Sequence, residues 1–270
     1  MKRIYEVWKM TVKNAVSEVF FCGSILLGFV LFLFGSVYRD FLDGSSYNAV
    51  SLLTHFSKEE LMMQEECSVY EIMNVGTILS HFWMYAPLVV LIPLITTLII
   101  EKKSGMEKLE LSRTSRMSFA IGRFLGAFTV GGITLFCSVC LYGIYVMAFY
   151  YQGEMKFGVT ELFIISLKYF LYGGISIIPG YLVAVFCQNI YLFTCIPFII
   201  NYLWNIGFTH KYMYWEEGIL KDIAGITENI SALSVNYFSH RKLLFFLVYY
   251  GGISILLIGL QMKQWKSGKV

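Results

Sequence analysis

Charge is scarce in this chain: Asp, Glu, Lys and Arg make up 14% of its 270 residues, where an ordinary soluble domain carries about 25%. With 57% apolar and 17% aromatic residues, the chain has more apolar surface than a water-soluble core of this size can hide. Loop cysteine is scarcer still. Cys22, Cys137, Cys140, Cys187 and Cys195 fall inside apolar blocks and Cys67 alone sits in a loop, which argues against a disulfide framework. Cys137 and Cys140 make a CxxC, but no further ligands lie near them in the sequence; they read as packing residues, and no metal site is expected. A phosphate-cradling G-x-x-x-x-G-K-[ST] is missing, and no lysine follows Gly131-Gly132, Gly173-Gly174 or Gly251-Gly252. No secretory leader is expected either, because charge runs through the first 18 residues and the apolar block after them is too long for one.

The apolar residues come in long, charge-free blocks, the pattern of membrane spans. The expected fold is an all-α integral membrane protein forming one transmembrane domain, with spans at about 19–38, 82–100, 124–151, 168–187, 190–208 and 243–262. A helix of 20 residues covers about 30 Å, the thickness of the hydrocarbon layer. Lys168 is placed at the outer end of the fourth span, where its stem reaches the headgroups. Gln188 and Asn189 alone join the fourth and fifth spans, which requires a tight antiparallel hairpin. Pro93, Pro179 and Pro197 lie inside spans, and Gly173-Gly174 with Pro179-Gly180 make the fourth the one most prone to a break.

Outside the spans, residues 1–18 set Ile4, Trp8, Val12 and Ala15 on one stripe with Lys2, Arg3, Lys9 and Lys13 elsewhere, the mark of an amphipathic helix in the bilayer interface. The inner segments hold 13 Lys and Arg and the longer outer ones 8, so both termini are expected in the cytoplasm. In the first outer loop, Ser57-Lys58-Glu59-Glu60 reads as a capping box. In the last, Ile219, Ile223, Ile226, Ile230 and Leu233 recur at helical spacing and predict an outer amphipathic helix between spans five and six. Asn201 and Asn205, one turn apart beside Tyr202 and Trp204, either bond neighbouring helices or line a substrate cavity.

The densest polar stretch is EKKSGMEKLELSRTSRMSFAIGR, Glu101 to Arg123, between spans two and three. By composition it is either a solvated loop or a docking surface whose leucines and methionines sit among charges. Glu101-Lys102-Lys103-Ser104-Gly105, then Leu109 and Leu111, then Thr114-Ser115-Arg116 and Gly122-Arg123, resembles the cytoplasmic signature of type-2 ABC exporter permeases. That family carries a Glu-Lys/Arg-x-x-Gly motif at the end of the second span, a leucine-bearing coupling helix, a Pro-x-Ser-Arg turn and a Gly-Lys/Arg pair opening the third span. Arg113 stands where proline is common and Arg123 where lysine is usual. The larger layout is similar too, over nearly the whole chain.

The resemblance implies a permease subunit of an ATP-driven exporter in a bacterial cell membrane, moving a hydrophobic or amphipathic cargo such as a lipid, peptide or drug. It implies no catalysis and no cofactor in this chain, ATP and Mg²⁺ being bound by two separate cytoplasmic ATPase subunits. A second permease, identical or not, completes the transporter within membrane lipid, and no nucleic acid is involved. Glu101, Gly105, Leu109, Leu111, Ser115 and Arg116 would couple to the ATPase, with Glu101 pairing Arg113 or Arg116 or capping the coupling helix. Two other readings compete. A secondary carrier or channel would usually show repeated halves or an ionisable group at mid-span, and neither is visible. An intramembrane enzyme would need a nucleophile and base at matching depth. His55, His210 and His240 are in loops, His81 is at a span margin, and Ser138 and Ser176 have no visible base.

Overall fold

The computed structural model describes residues 2–39, 45–57, 60–61, 67–78, 82–152, 157–200 and 240–266. Helices α1 (Lys2–Val16) and α2 (Val19–Leu33) meet at 70°. A two-stranded antiparallel hairpin, β1 (Ser36–Arg39) and β2 (Ser46–Asn48), leads into α3 (Ala49–His55) and α4 (Val69–Ile78). Helix α5 (Phe82–Leu91) runs on through a 3₁₀ turn at Ile92–Leu94 and a π turn at Thr96–Ile100, a path bent by 59° overall. After one further turn, Glu101–Lys103, come α6 (Met106–Arg113) and the long α7 (Arg116–Phe149). The last helices are α8 (Val159–Ser176), α9 (Ile178–Phe186), α10 (Ile190–Ile200) and α11 (His240–Lys266).

Among the described residues two helices are long and apolar enough to cross a membrane, α7 and the α8–α9 rod Val159–Phe186, and up to four if each bent pair counts as one crossing. Helix α10 and the Gly251–Lys263 stretch of α11 are shorter apolar helices. The architecture is therefore predominantly helical and compatible with a membrane protein.

Helix α7 is the central post, packed along α8, α1 and α2. Its seam with α8 is built on glycine. A Cβ on Gly131 would stand 2.8 Å from the Gly173 carbonyl oxygen, so the two backbones touch where neither residue has a side chain. Around this post sits one apolar cluster with Phe32, Leu91, Leu135, Tyr142 and Tyr181 inside it.

Several boundaries differ from the expected ones. Helix α2 stops at Leu33, and the chain turns into β1 where the first apolar block was read as running to Tyr38. The hairpin itself departs from an all-α fold; Tyr38, Tyr47 and Phe56 pack against one another there, with ring centroids 5.4 to 6.3 Å apart. Helices α7 and α8 start at Arg116 and Val159, eight and nine residues before the apolar blocks do, because a helix needs no apolar residues to continue past a bilayer. Lys168 consequently lies within α8 and not at its end. The rod is interrupted at Ile177, just before Pro179, as the proline and glycine pairs suggested.

Helix α1 is not simply a surface helix. The side facing α7 is Val7, Thr11 and Ala15, while Ile4, Trp8 and Val12 stay half-buried at its margin. Trp8 Nε1 donates to Thr129 Oγ1 at 3.0 Å. The Ser57–Glu60 box forms reciprocally, with Glu60 Oε2 taking the Ser57 amide at 2.8 Å, a bond that holds the Glu60 carboxyl below its ordinary pKa.

Candidate functional site

At the end of the bundle opposite the hairpin, the mixed-charge segment folds into a compact hub. Gly105 sits at φ 77°, the left-handed region that favours glycine, and so turns the chain from the Glu101–Lys103 turn into α6. At the other end of α6, Ser115 caps α7, its Oγ accepting the Ser118 amide at 3.3 Å. These two devices fix α6 as a short arm between two longer helices.

The inward side of α6 is acidic. Glu107 is buried, and its Oε1 accepts the Trp265 Nε1 proton from α11 at 3.0 Å. Arg123, two turns into α7 and only 2% exposed, stands between two carboxylates. Its Nη2 donates to Glu101 Oε2 at 3.2 Å, and its Nη1 lies 3.6 Å from Glu107 Oε2, an ion pair longer than a hydrogen bond. Glu101 Oε1 also accepts from Asn14 Nδ2 of α1 at 3.1 Å. Lys102 reaches another way: its Nζ donates to the carbonyls of Ala184 and Val185, both at 2.8 Å, and so caps the C-terminal end of α9. Tyr181 of α9 in turn donates to Gln261 Oε1 of α11 at 2.9 Å. A small cleft opens here between Leu98, Lys102, Glu107, Arg123, Gln261 and Trp265.

Beneath the charges lies a second apolar cluster of Val7, Phe119, Ala120 and Trp265, with Leu111 packed on it. The Arg123 guanidinium carbon is 5.4 Å from the Phe119 ring centroid, a cation–π contact. In all, α1, the end of the α5 path, α6, α7, α9 and α11 converge on a few ångströms of polar contact.

Three carboxylates, Glu101, Glu107 and Glu110, share this space with two cations, Lys102 and Arg123. Burial pushes the Glu101 carboxyl up, and the Arg123 guanidinium offsets this only in part. Glu110 is pushed up by burial and then by the Glu101 charge, while burial pulls Lys102 down. Glu110 Oε2 and Arg123 Nη1 are buried with no hydrogen-bond partner among the described residues. Among the described residues no three His, Cys, Asp or Glu are placed to hold a metal.

The residues singled out from sequence divide between two faces. Glu101 is in the hub, but its partner is Arg123. Arg113, on the outward side of α6, and Arg116, in the first turn of α7, are both exposed. Leu109 is 58% exposed, whereas Leu111 is half-buried on the inner cluster and is no free anchor. Asn201, Tyr202, Trp204 and Asn205, and the isoleucines Ile219, Ile223, Ile226 and Ile230, lie outside the described residues. Sequence reasoning missed Asn14, Lys102, Glu107 and Trp265 as members of one site. Only Arg123, a lone cation flush against a long apolar run, carried a signal that could have found it. No family model matches the chain, and no curated protein matches it.

Proposed function

We propose that this chain is a permease subunit of an ATP-binding-cassette exporter, with α6 as its coupling helix. In this reading the chain crosses the membrane six times: α2, the α5 path from Phe82 to Ile100, α7, the α8–α9 rod, the segment opening at α10, and α11. The hub lies on the cytoplasmic side. Lys168 stands 16 residues before Ala184, about 24 Å of helix from the hub, so it sits near the outer headgroups even though α8 runs on past it.

One observation carries the reading. Arg123, on a spanning helix, bridges Glu101 and Glu107, at the end of the second span and on α6, while Lys102 ties the same turn to the end of α9. A push on α6 is thus passed to several spanning helices through short polar contacts, not through a slack loop. ATP binding and hydrolysis in two partner ATPases would supply that push. A second permease subunit would complete the cavity that alternates between the two sides, taking a hydrophobic or amphipathic cargo.

Co-purification with a candidate cytoplasmic ABC ATPase, and ATPase activity in lipid vesicles, test the reading with three variants. Leu109→Asp should release the ATPase, and Lys108→Ala should matter little, since rim charges contribute less than anchors. Glu101→Ala should leave the complex assembled but weaken the link between hydrolysis and transport. A wild-type chain that transports with no ATPase present would end the proposal and leave a secondary carrier as the better reading.

A further inference from the structure

The segment Glu101–Met117 is mixed in charge along the sequence but sorted by sign in space. Glu107 is buried, and Glu101 and Glu110 are turned inward and half-buried. Lys103, Lys108, Arg113 and Arg116 are all exposed. The helical period of α6 accounts for its own residues, since positions 107, 110 and 111 share the side facing the hub and 106, 109 and 113 the side facing away; Lys103 lies in the turn before α6 and Arg116 at the start of α7. Among the cations stand Met106, 49% exposed, Leu109, and Met117, 59% exposed. Arg123 pairs with Glu101 and Glu107 on the inner side, so the tip shows a partner chiefly its bases and its small apolar centre.

We infer that this tip docks a protein groove with an apolar floor that receives Leu109 and Met106 and a rim of aspartates and glutamates facing Lys103, Lys108, Arg113 and Arg116. The inference rests on the exporter reading and specifies the chemistry of the ATPase surface that reading requires. A headgroup surface is the other occupant with matching charge. The tip suits it poorly, because a helix held in the interface shows a wide apolar face, whereas α6 exposes two apolar side chains among charges and serines. Two flexible anchors inside a charged ring fit a protein hot spot with its rim. Each cation alone matters little, while four together steer encounter and make association fall with salt.

The experiment measures binding of a purified candidate ABC ATPase to the full-length chain in neutral phosphatidylcholine nanodiscs. Raising salt from about 0.05 M to about 0.5 M should weaken wild-type binding by about tenfold or more, because the Debye length shrinks severalfold over that range. The four-site variant Lys103→Gln, Lys108→Gln, Arg113→Gln and Arg116→Gln should bind weakly and with a flat salt response. The matching four-site reversal to Glu should abolish binding at low salt. Unchanged thermal unfolding of both variants shows that the hub is intact, and if the reversal unfolds, the glutamine variant decides. Wild-type binding that is indifferent to salt, or a reversal that binds as wild type does, would overturn this inference and leave the exporter reading standing. No binding by wild type at any salt would overturn both. A dye on Leu109→Cys that moves into phosphatidylglycerol nanodiscs without the ATPase would assign the tip to the membrane and overturn the docking.

Discussion

Arg123 has two carboxylate neighbours and little water, and that fixes what its loss should do. In Arg123→Ala, Glu101 and Glu107 stay buried without their cation, and breaking a buried pair in this way costs about 3–5 kcal/mol. Thermal unfolding in detergent should show the largest destabilisation of any hub variant, and Arg123→Lys, which keeps the charge but loses the fork, should fall between. Glu101 makes a second case, with a pH sign. Its carboxyl is held above its ordinary pKa by burial, so the folded state takes up its proton more readily than the unfolded state does. That contribution is fully present below the ordinary carboxylate range and is lost as pH rises through the raised value. Relative to Glu101→Gln, which stays neutral, wild type should therefore lose stability as pH climbs through and above that range. Parallel unfolding curves for the two proteins at all pH values would contradict the burial of Glu101. At Gly105, alanine would be held at positive φ at a cost of about 1–2 kcal/mol, and Gly105→Ala should loosen α6 without touching a single hub contact.

Among the elements, the α7–α8 seam and the α6 arm behave oppositely. The seam has no slack. Gly173→Ala would drive a methyl into the Gly131 carbonyl, so the helices must separate along their length. It should cost at least about 2 kcal/mol, as overpacking does, whereas Gly251→Ala, with nothing within 4 Å of its Cβ, should be neutral or slightly stabilising. Unfolding midpoints of the two variants settle this. Period and composition made the long helices legible, since an apolar block of 20 residues admits few other structures in a chain this poor in charge. Their ends were not legible, because Arg116–Arg123 and Val159–Lys168 continue a helix through stretches in which charged and polar residues interrupt the apolar ones. Glu101, Leu109 and Leu111 were singled out by the resemblance and not by period or composition, and the structure exposes Leu109 but packs Leu111 on the inner cluster, since a sequence does not show which side of an eight-residue helix meets the bundle. The hub itself was illegible, because Asn14, Glu107 and Trp265 are brought together only by the packing of α1, α6 and α11.

For the molecule as a whole, orientation is the property that most needs measurement. The hub and the hairpin lie at opposite ends of α7, so locating one locates the other. Cys67 is a poor reporter for the purpose, being buried. Ser46 on β2 is exposed, and Ser46→Cys in a variant with its other cysteines replaced should react with an impermeant thiol reagent added outside intact cells. Reaction only after the membrane is opened would reverse the topology and move the hub away from any cytoplasmic partner. Burial of Cys67 has another consequence, for the order in which the chain is made. The segment around it is closed by residues made much later: Tyr150 donates its hydroxyl proton to the Ala49 carbonyl, and the Val69 amide bonds the Tyr151 carbonyl at 3.0 Å. The segment around Cys67 must therefore wait, with Leu52, Ile72 and Met73 uncovered, until α7 has been synthesised. A nascent chain halted before residue 116 should leave Cys67 open to alkylation, and one released beyond residue 152 should shield it, so a single thiol would time the arrival of α7.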